Sequence, residues 1–257
     1  MSRFTILMYH MVSKAESTKE ARYSCLPDLF HSQMKVLASS GTQFITLKDI
    51  ESFYIDNTPL PDSAVAITFD DGFMDNYDNA FPVLCEYEIP ATIFLTTGLI
   101  NKSNDWMVRD NFPERRMLTW DAIHEMSNAG INFGSHTVSH PRLPELPTDK
   151  IREELVTSRN TIEDKLGQEV SYLAYPHGLY NDEVRQIAQE VGYTMACSTR
   201  SGFNNKNEDL LALRRLEVYG TDSTNQLKQK IVFGSNKVDI LFRTKYYFRR
   251  IQERLVK

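Results

Sequence analysis

Apolar residues along this chain follow two alternating rhythms. Short runs rich in β-branched and aromatic residues are separated by longer stretches in which apolar positions return every three or four residues. The first pattern suits buried strands and the second amphipathic helices. Strands are predicted at "RFTILMY" (3–9), "QFITL" (43–47), "AVAITF" (64–69), "ATIFLT" (91–96), "INFGS" (131–135), "SYLAY" (171–175) and "YTMACS" (193–198). Between them, "PDLFHSQMKVLASSG" groups Leu29, Phe30, Met34 and Leu37 and stops at Gly41. The stretch "TDKIREELVTSRNTIEDKLG" groups Ile151, Leu155, Ile162 and Leu166 and also ends in glycine, a common left-handed terminator. "NDEVRQIAQEVG" has Asn181 available as a cap, and "DAIHEMSNAG" has Thr119.

Strands alternating with helices imply βα units around a mainly parallel sheet, so the expected fold class is α/β. Residues 101–117 lack a period and carry Trp106, so a long loop is expected, a kind of segment that is usually functional or disordered. No internal repeat, low-complexity tract or linker interrupts the pattern.

Composition narrows the picture. At 257 residues and 41% hydrophobic content the chain can bury a large core. A net charge of −5 and a pI of about 5.7 remove the basic footprint that general nucleic-acid binding requires. Cys25, Cys85 and Cys197 have neither paired spacing nor the pattern of a cysteine zinc site, and read as small apolar residues. The apolar run at Phe4–Tyr9 is too short for a secretory leader, and no stretch approaches a membrane span. A cytoplasmic location is therefore expected. The basic tail "FRTKYYFRRIQERLVK", with Ile240 just before it, brings Ile240, Phe248, Ile251 and Leu255 near one helical face. Such a helix can pack on the domain or touch the inner membrane face.

Three strand ends carry candidate chemistry. "AVAITF" runs into Asp70-Asp71-Gly72, and adjacent carboxylates at a strand end find relief in a cation, although Asp and Gly also make ordinary turns. "INFGS" runs into His136-Thr137-Val138-Ser139-His140, where two histidines four apart can share one face of a helical turn and offer two imidazoles to one metal. "YLAYPHG" (172–178) ends in a Pro-x-Gly turn that can leave the intervening amide pointing outward, as an oxyanion donor must, or can simply end the strand. With His10 after the first strand, these groups all stand at C-terminal strand ends, where α/β barrels gather their catalytic residues. His31 and His124 fall inside predicted helices without partners. Trp106 and Trp120 can stack on sugar rings, and Trp106 is the better placed.

In this order and spacing, "TFDDG" (68–72), "SHTVSH" (135–140) and "YPHG" (175–178) resemble the polysaccharide deacetylases of the NodB-homology type, carbohydrate esterase family 4. "LMYHMVS", "DNYDNAFPVL", "IPATIFL" and "RRLEV" resemble its bacterial branch in which the last motif has moved to the N-terminus. The likeness spans about residues 4–220. It implies a distorted (β/α) barrel of about seven strands and a catalytic domain at 1–222, and it leaves out the basic helical extension expected at 223–257. It implies a divalent metal, zinc by default with cobalt or nickel accepted, held by Asp71, His136 and His140. Asp70 would be the base toward water, the metal a Lewis acid, and the His177 backbone N–H the oxyanion donor in a place where the family usually has tyrosine. Tyr175, Pro176 and Trp106 would contact an acetylated glycan or amino sugar.

The sequence departs from the common family pattern in two ways. No histidine follows His177, so the acid that protonates the leaving amine is expected to be His10. Ala174 stands where many relatives carry the arginine that orients the base, leaving Arg215, or else Arg214, for that role. Three other readings compete: a non-haem Fe(II) oxygenase, disfavoured by the βα alternation, a non-catalytic carbohydrate-binding relative, and hydrolysis of a small-molecule amide on the same scaffold.

Overall fold

The computed structural model describes residues 3–237. Along the chain lie β1 (Phe4–Tyr9), α1 (Pro27–Ser39), α2 (Leu47–Ile55), β2 (Ala64–Phe69), α3 (Phe81–Glu86), β3 (Ala91–Leu95), α4 (Asp105–Arg109), α5 (Trp120–Asn128), β4 (Asn132–Ser135), α6 (Thr148–Leu166), β5 (Tyr172–Ala174), α7 (Asp182–Val191), β6 (Met195–Cys197), β7 (Leu216–Glu217) and α8 (Thr224–Phe233). The strands form one parallel sheet in the order β6-β5-β4-β3-β2-β1-β7. A bridge between Cys197 and Leu213 ties the β6 edge to the segment that leads into β7. The sheet is thus curled into a half-barrel, the distorted α/β barrel expected.

Strand parity decides which side chains enter the barrel. On β1 and β2, Phe4, Ile6, Ala64 and Ala66 meet Phe94, Ala174, Met195, Cys197 and Leu213 in one buried cluster. Leu7, Tyr9, Val65, Ile67 and Phe69 point the other way, against Phe30, Met34 and Leu37 of α1 and the remaining helices. Small residues keep the interior open enough to close. At Gly134 a Cβ would lie 2.7 Å from the Phe94 ring, so only glycine fits there.

Two expectations are corrected. Residues 43–47 form no strand: Gln43, Phe44 and Ile45 make only a bridge to Val65, and Thr46 then caps α2 in a box with Asp49. The seventh strand is β7 instead, too short to leave a periodic signal. Residues 101–117 are not structureless either, because they contain α4 and bridges that pair Phe73 with Met117 and Ser103 with Arg116. The predicted stops at Gly167 and Gly192 are left-handed C-caps, and Asn181 and Thr119 accept from the third helical amides as caps.

The expected C-terminal extension begins at α8, capped by Ser223. This helix packs on α1 and places Leu227 in the main core. Lys230, 2% exposed, donates to the Glu217 carbonyl (2.9 Å), pairs with Asp222 and lies 3.7 Å from the centre of the Tyr219 ring. The basic tail at 238–257 lies outside the described residues. No helix among the described residues is long and apolar enough to cross a membrane.

Deleting the Lys230 ammonium would leave Asp222 buried without its counter-charge. Lys230→Ala is expected to lower the unfolding free energy by about 3 kcal/mol in urea titrations. Lys150→Ala, which breaks an exposed pair with Glu153, is expected to leave the midpoint unchanged.

Candidate active site

The interior row of β2 continues past its end: Ala64, Ala66 and Thr68 face inward, and Asp70 follows them into the barrel mouth. Arg215 arrives from the opposite edge on the segment that leads into β7. Its guanidinium, fully buried, forks onto both Asp70 carboxylate oxygens at 2.6 and 2.7 Å and donates to the Ser198 carbonyl at 3.0 Å. Burial alone would push the Asp70 carboxyl up. Arg215, helped by His136 and His10, outweighs burial and holds it below the usual carboxylate range. Between the two arginines, Arg215 meets Asp70, whereas Arg214 pairs with Glu208 outside the barrel.

Asp71 takes a left-handed backbone (φ 74°) that turns its side chain across the mouth. His136 Nε2 and His140 Nε2 each lie 3.3 Å from its Oδ1, and all three residues are buried. The His136 ring is oriented from behind: Nδ1–H donates to the Ala174 carbonyl at 2.7 Å, leaving the Nε2 lone pair to face Asp71. The two histidines do not share a helical face as expected. A tight turn with positive φ at Thr137 (69°) and His140 (59°) brings their rings to 4.9 Å between centroids. Glu154 of α6 holds that turn by accepting from the Val138 and Ser139 amides at 2.8 and 2.9 Å.

Charge and hydrogen bonding both ask for a cation here. Asp71 Oδ1 and His140 Nδ1 are buried without a hydrogen-bond partner among the described residues. Burial raises Asp71, but the two imidazoles override it and hold its carboxyl well below the ordinary value. Burial pushes the His140 imidazole below its ordinary value, while the facing Asp71 and Asp70 carboxylates outweigh burial at His136 and push its imidazole up. A divalent cation satisfies the same negative charge, and two imidazoles with one carboxylate are a fitting donor set.

His177 sits in a turn in which it and Gly178 are both left-handed (φ 59° and 69°). Its N–H has no partner among the described residues, and its ring packs 4.5 Å from that of His140. Burial, then His140 and Arg142, push its imidazole down to about 4, so it is neutral at physiological pH. Gly178 is required, since a Cβ would lie 2.1 Å from Thr199 Oγ1.

These groups share a cleft of about 480 Å³ with His10, whose Nδ1 is also buried and without a partner among the described residues. Trp106 lies on its wall, with its ring 4.8 Å from His140 and 6.2 Å from Phe73. Tyr175 and Pro176, expected as substrate contacts, are buried away from the cleft. The Tyr175 hydroxyl donates to the Leu211 carbonyl, so these two residues shape the turn rather than reach outward. His31 pairs with Glu86 far from the mouth. The cleft also gathers Arg22, Tyr23, Glu217, Tyr219 and Asn236, none of which the sequence singled out. Glu217 had a signal, as the last residue of the "RRLE" run, but a two-residue strand conceals that it stands at a strand end.

A parallel half-barrel with a carboxylate–imidazole cluster at the C-terminal ends of its strands is the architecture of a barrel enzyme. Comparison with known proteins narrows this. Residues 57–196 match the sequence pattern of the polysaccharide deacetylase family. A poly-beta-1,6-N-acetyl-D-glucosamine N-deacetylase of Staphylococcus aureus is 32% identical over 209 residues, which span 72% of this chain and 68% of that protein. The structure of Streptococcus pyogenes deacetylase PplD in complex with acetate aligns with a TM-score of 0.78 at 30% identity, covering 89% of this chain and 98% of that one. IcaB from Ammonifex degensii aligns with a TM-score of 0.76 at 25% identity, covering 88% and 96%. The chain belongs to the polysaccharide deacetylase family, a family of metal-dependent enzymes.

Removing the Arg215 guanidinium strands Asp70 in the barrel. Arg215→Met is expected to cost about 3–5 kcal/mol in denaturant unfolding and to raise the Asp70 carboxyl pKa as read by carbon NMR. Arg215→Lys is expected to recover only part of the loss, because an ammonium cannot fork.

Proposed function

We propose that this deacetylase removes N-acetyl groups from an amino-sugar polysaccharide, with zinc as its metal. The observation that carries the reading is the buried Asp71–His136–His140 cluster beside an Asp70 held ionised by Arg215. Zinc suits two imidazoles and a carboxylate, and cobalt or nickel would be accepted by the same donors. Bound by those three residues, the metal supplies Lewis acidity toward water and toward the acyl oxygen.

The protein's own groups do the rest. Asp70, ionised and fixed by two hydrogen bonds from Arg215, accepts the proton of the attacking water. The unpartnered His177 N–H donates to the acyl oxygen as negative charge develops there. His10 gives a proton to the sugar amine, which leaves poorly as an anion. Trp106 covers His140 and offers an apolar wall beside the acetyl group. Arg22, Glu217 and Asn236 give the cleft the polar lining that sugar hydroxyls require.

The same reading guides the choice of substrate. The Staphylococcus aureus relative is named for a poly-beta-1,6-N-acetyl-D-glucosamine, and a glycan of that class is the first to try. Acetate release from N-acetylglucosamine oligomers, measured with and without chelator, tests the proposal. Chelator-sensitive release is expected, and oxygen uptake without acetate would overturn it.

Two sets of variants test the roles. Asp70→Ala is expected to keep its metal by elemental analysis and lose turnover, whereas His136→Ala is expected to lose both. His10→Ala is expected to slow amide cleavage roughly 100-fold or more with metal content unchanged, the usual worth of a general acid. Wild-type rates in that variant would return His10 to a packing role.

A further inference from the structure

We propose that Asp75, Asn76 and Asn79 are positioning residues for His10, fastening the backbone around it to the turn that carries Asp70 and Asp71. The inference rests on the reading of His10 as the acid. Its basis is a set of hydrogen bonds that join two short segments, residues 9–12 and residues 70–79.

Directly after Asp70-Asp71-Gly72 the chain enters a π-helical turn over Asn76–Ala80. Such wide turns recur at functional sites. From this turn the Asn76 side-chain amide donates to the His10 carbonyl at 2.8 Å, and the Asn79 amide donates to the Val12 carbonyl at 2.8 Å. Asp75 Oδ1 accepts from the Val12 N–H at 2.9 Å and from the Asn76 amide at 3.1 Å, which ties the clamp together. The Asp70 N–H donates to the Tyr9 carbonyl at 3.0 Å, and Cys25 N–H to the Met11 carbonyl at 2.9 Å. Every carbonyl from Tyr9 to Val12 is thereby held, and three of the four donors come from residues 70–79.

The His10 ring, by contrast, is held by little. Its Nδ1 has no partner among the described residues, and its ring makes an edge approach to Tyr23 at 5.2 Å between centroids. With no hydrogen bond to that nitrogen, the placement of the imidazole follows from the placement of its backbone. An acid must come within hydrogen-bond reach of the nitrogen it protonates.

Stability alone does not account for Asn76. It is fully buried, and its Oδ1 is left without a partner among the described residues, a cost that an apolar residue of similar size would avoid. Its retained amide points at His10. The consequence is mechanical: base, metal ligand and acid are registered by one stretch of about ten residues, in addition to the β1–β2 pairing that sets Tyr9 opposite Phe69.

The test compares leaving groups. Cleavage of an N-acetylglucosamine oligomer requires a proton on the amine, whereas 4-nitrophenyl acetate releases a phenolate that needs none. Asn76→Ala and Asn79→Ala, each loaded with zinc and checked for metal content and melting midpoint, are assayed on both substrates beside His10→Ala. A displacement near 1 Å costs up to about 100-fold, so the amide-to-ester ratio of kcat is expected to fall ~10- to 100-fold in both asparagine variants. The ratio in Lys150→Ala, a surface control, is expected to match wild type. A clamp that serves stability alone would lower the two rates together, and that result overturns the proposal. If the ratio falls in His10→Ala but in neither asparagine variant, the clamp is refuted and the acid stands. An unchanged ratio in His10→Ala refutes the acid itself. Asn79 is only half-buried, so its variant decides the matter should Asn76→Ala fail to fold.

Discussion

The buried fork between Arg215 and Asp70 is the constraint around which the barrel mouth is built. It joins the segment before β7 to the end of β2, while the same guanidinium reaches back to Ser198 beyond β6. Among the described residues the sheet has no continuous ladder between its edges, but the Cys197–Leu213 bridge and an Arg215 N–H to Arg200 carbonyl bond cross the seam, and this ion pair reinforces them. A charge pair so deeply buried is a poor source of net stability, since desolvation offsets most of the attraction. Its worth lies in holding one carboxylate ionised and fixed in a dry place, next to a second carboxylate that faces two imidazoles.

From that pair the site follows by parity and by strain. His10, Asp70 and His136 each extend the inward row of a strand past its end, and Arg215 and Glu217 stand on the inward row that leads through β7. Side chains along a strand alternate, so a residue two beyond an interior residue emerges at the barrel mouth if the backbone stays extended. The chain then turns sharply. Asp71, Thr137, His140 and His177 all take positive φ, a conformation that costs non-glycine residues roughly 1 kcal/mol or more and is tolerated where the surroundings dictate it. Glu154, Ala174 and Thr199 are those surroundings, through hydrogen bonds to the His140 turn and to His136 and through contact at Gly178.

Much of this was legible in order but not in depth. The strand at 64–69 and the caps at Thr119, Asn181, Gly167 and Gly192 depend on local periodicity and local hydrogen bonding, which a linear pattern records. The strand expected at 43–47 failed because Thr46 and Asp49 close a capping box that starts a helix where apolar content alone favoured an extended chain. β7 escaped notice because two residues are too few to show a period. Tyr175 looked like a substrate contact because it borders His177, yet its hydroxyl is consumed by the Leu211 carbonyl. The asparagines at 76 and 79 lie in the "DNYDNAFPVL" stretch of the family likeness but nothing along the chain gave them a role, for an amide in a turn looks the same whether it meets solvent or a neighbouring carbonyl.

By itself the sequence determined the βα alternation, the strand-end positions of Asp70, Asp71, His136, His140 and His177, and the absence of any histidine after His177. These are properties of spacing and composition, and they survive however the chain is folded in space. Only the tertiary structure decided that Arg215 rather than Arg214 meets Asp70, that the two histidines converge through a left-handed turn rather than a helix, and that His10 is held from residues 75–79. Each of those outcomes depends on groups far apart in the chain or on a backbone sign that side-chain identity does not reveal. Distances across the barrel are set by how the strands pair and curl, and no pattern along the chain contains them.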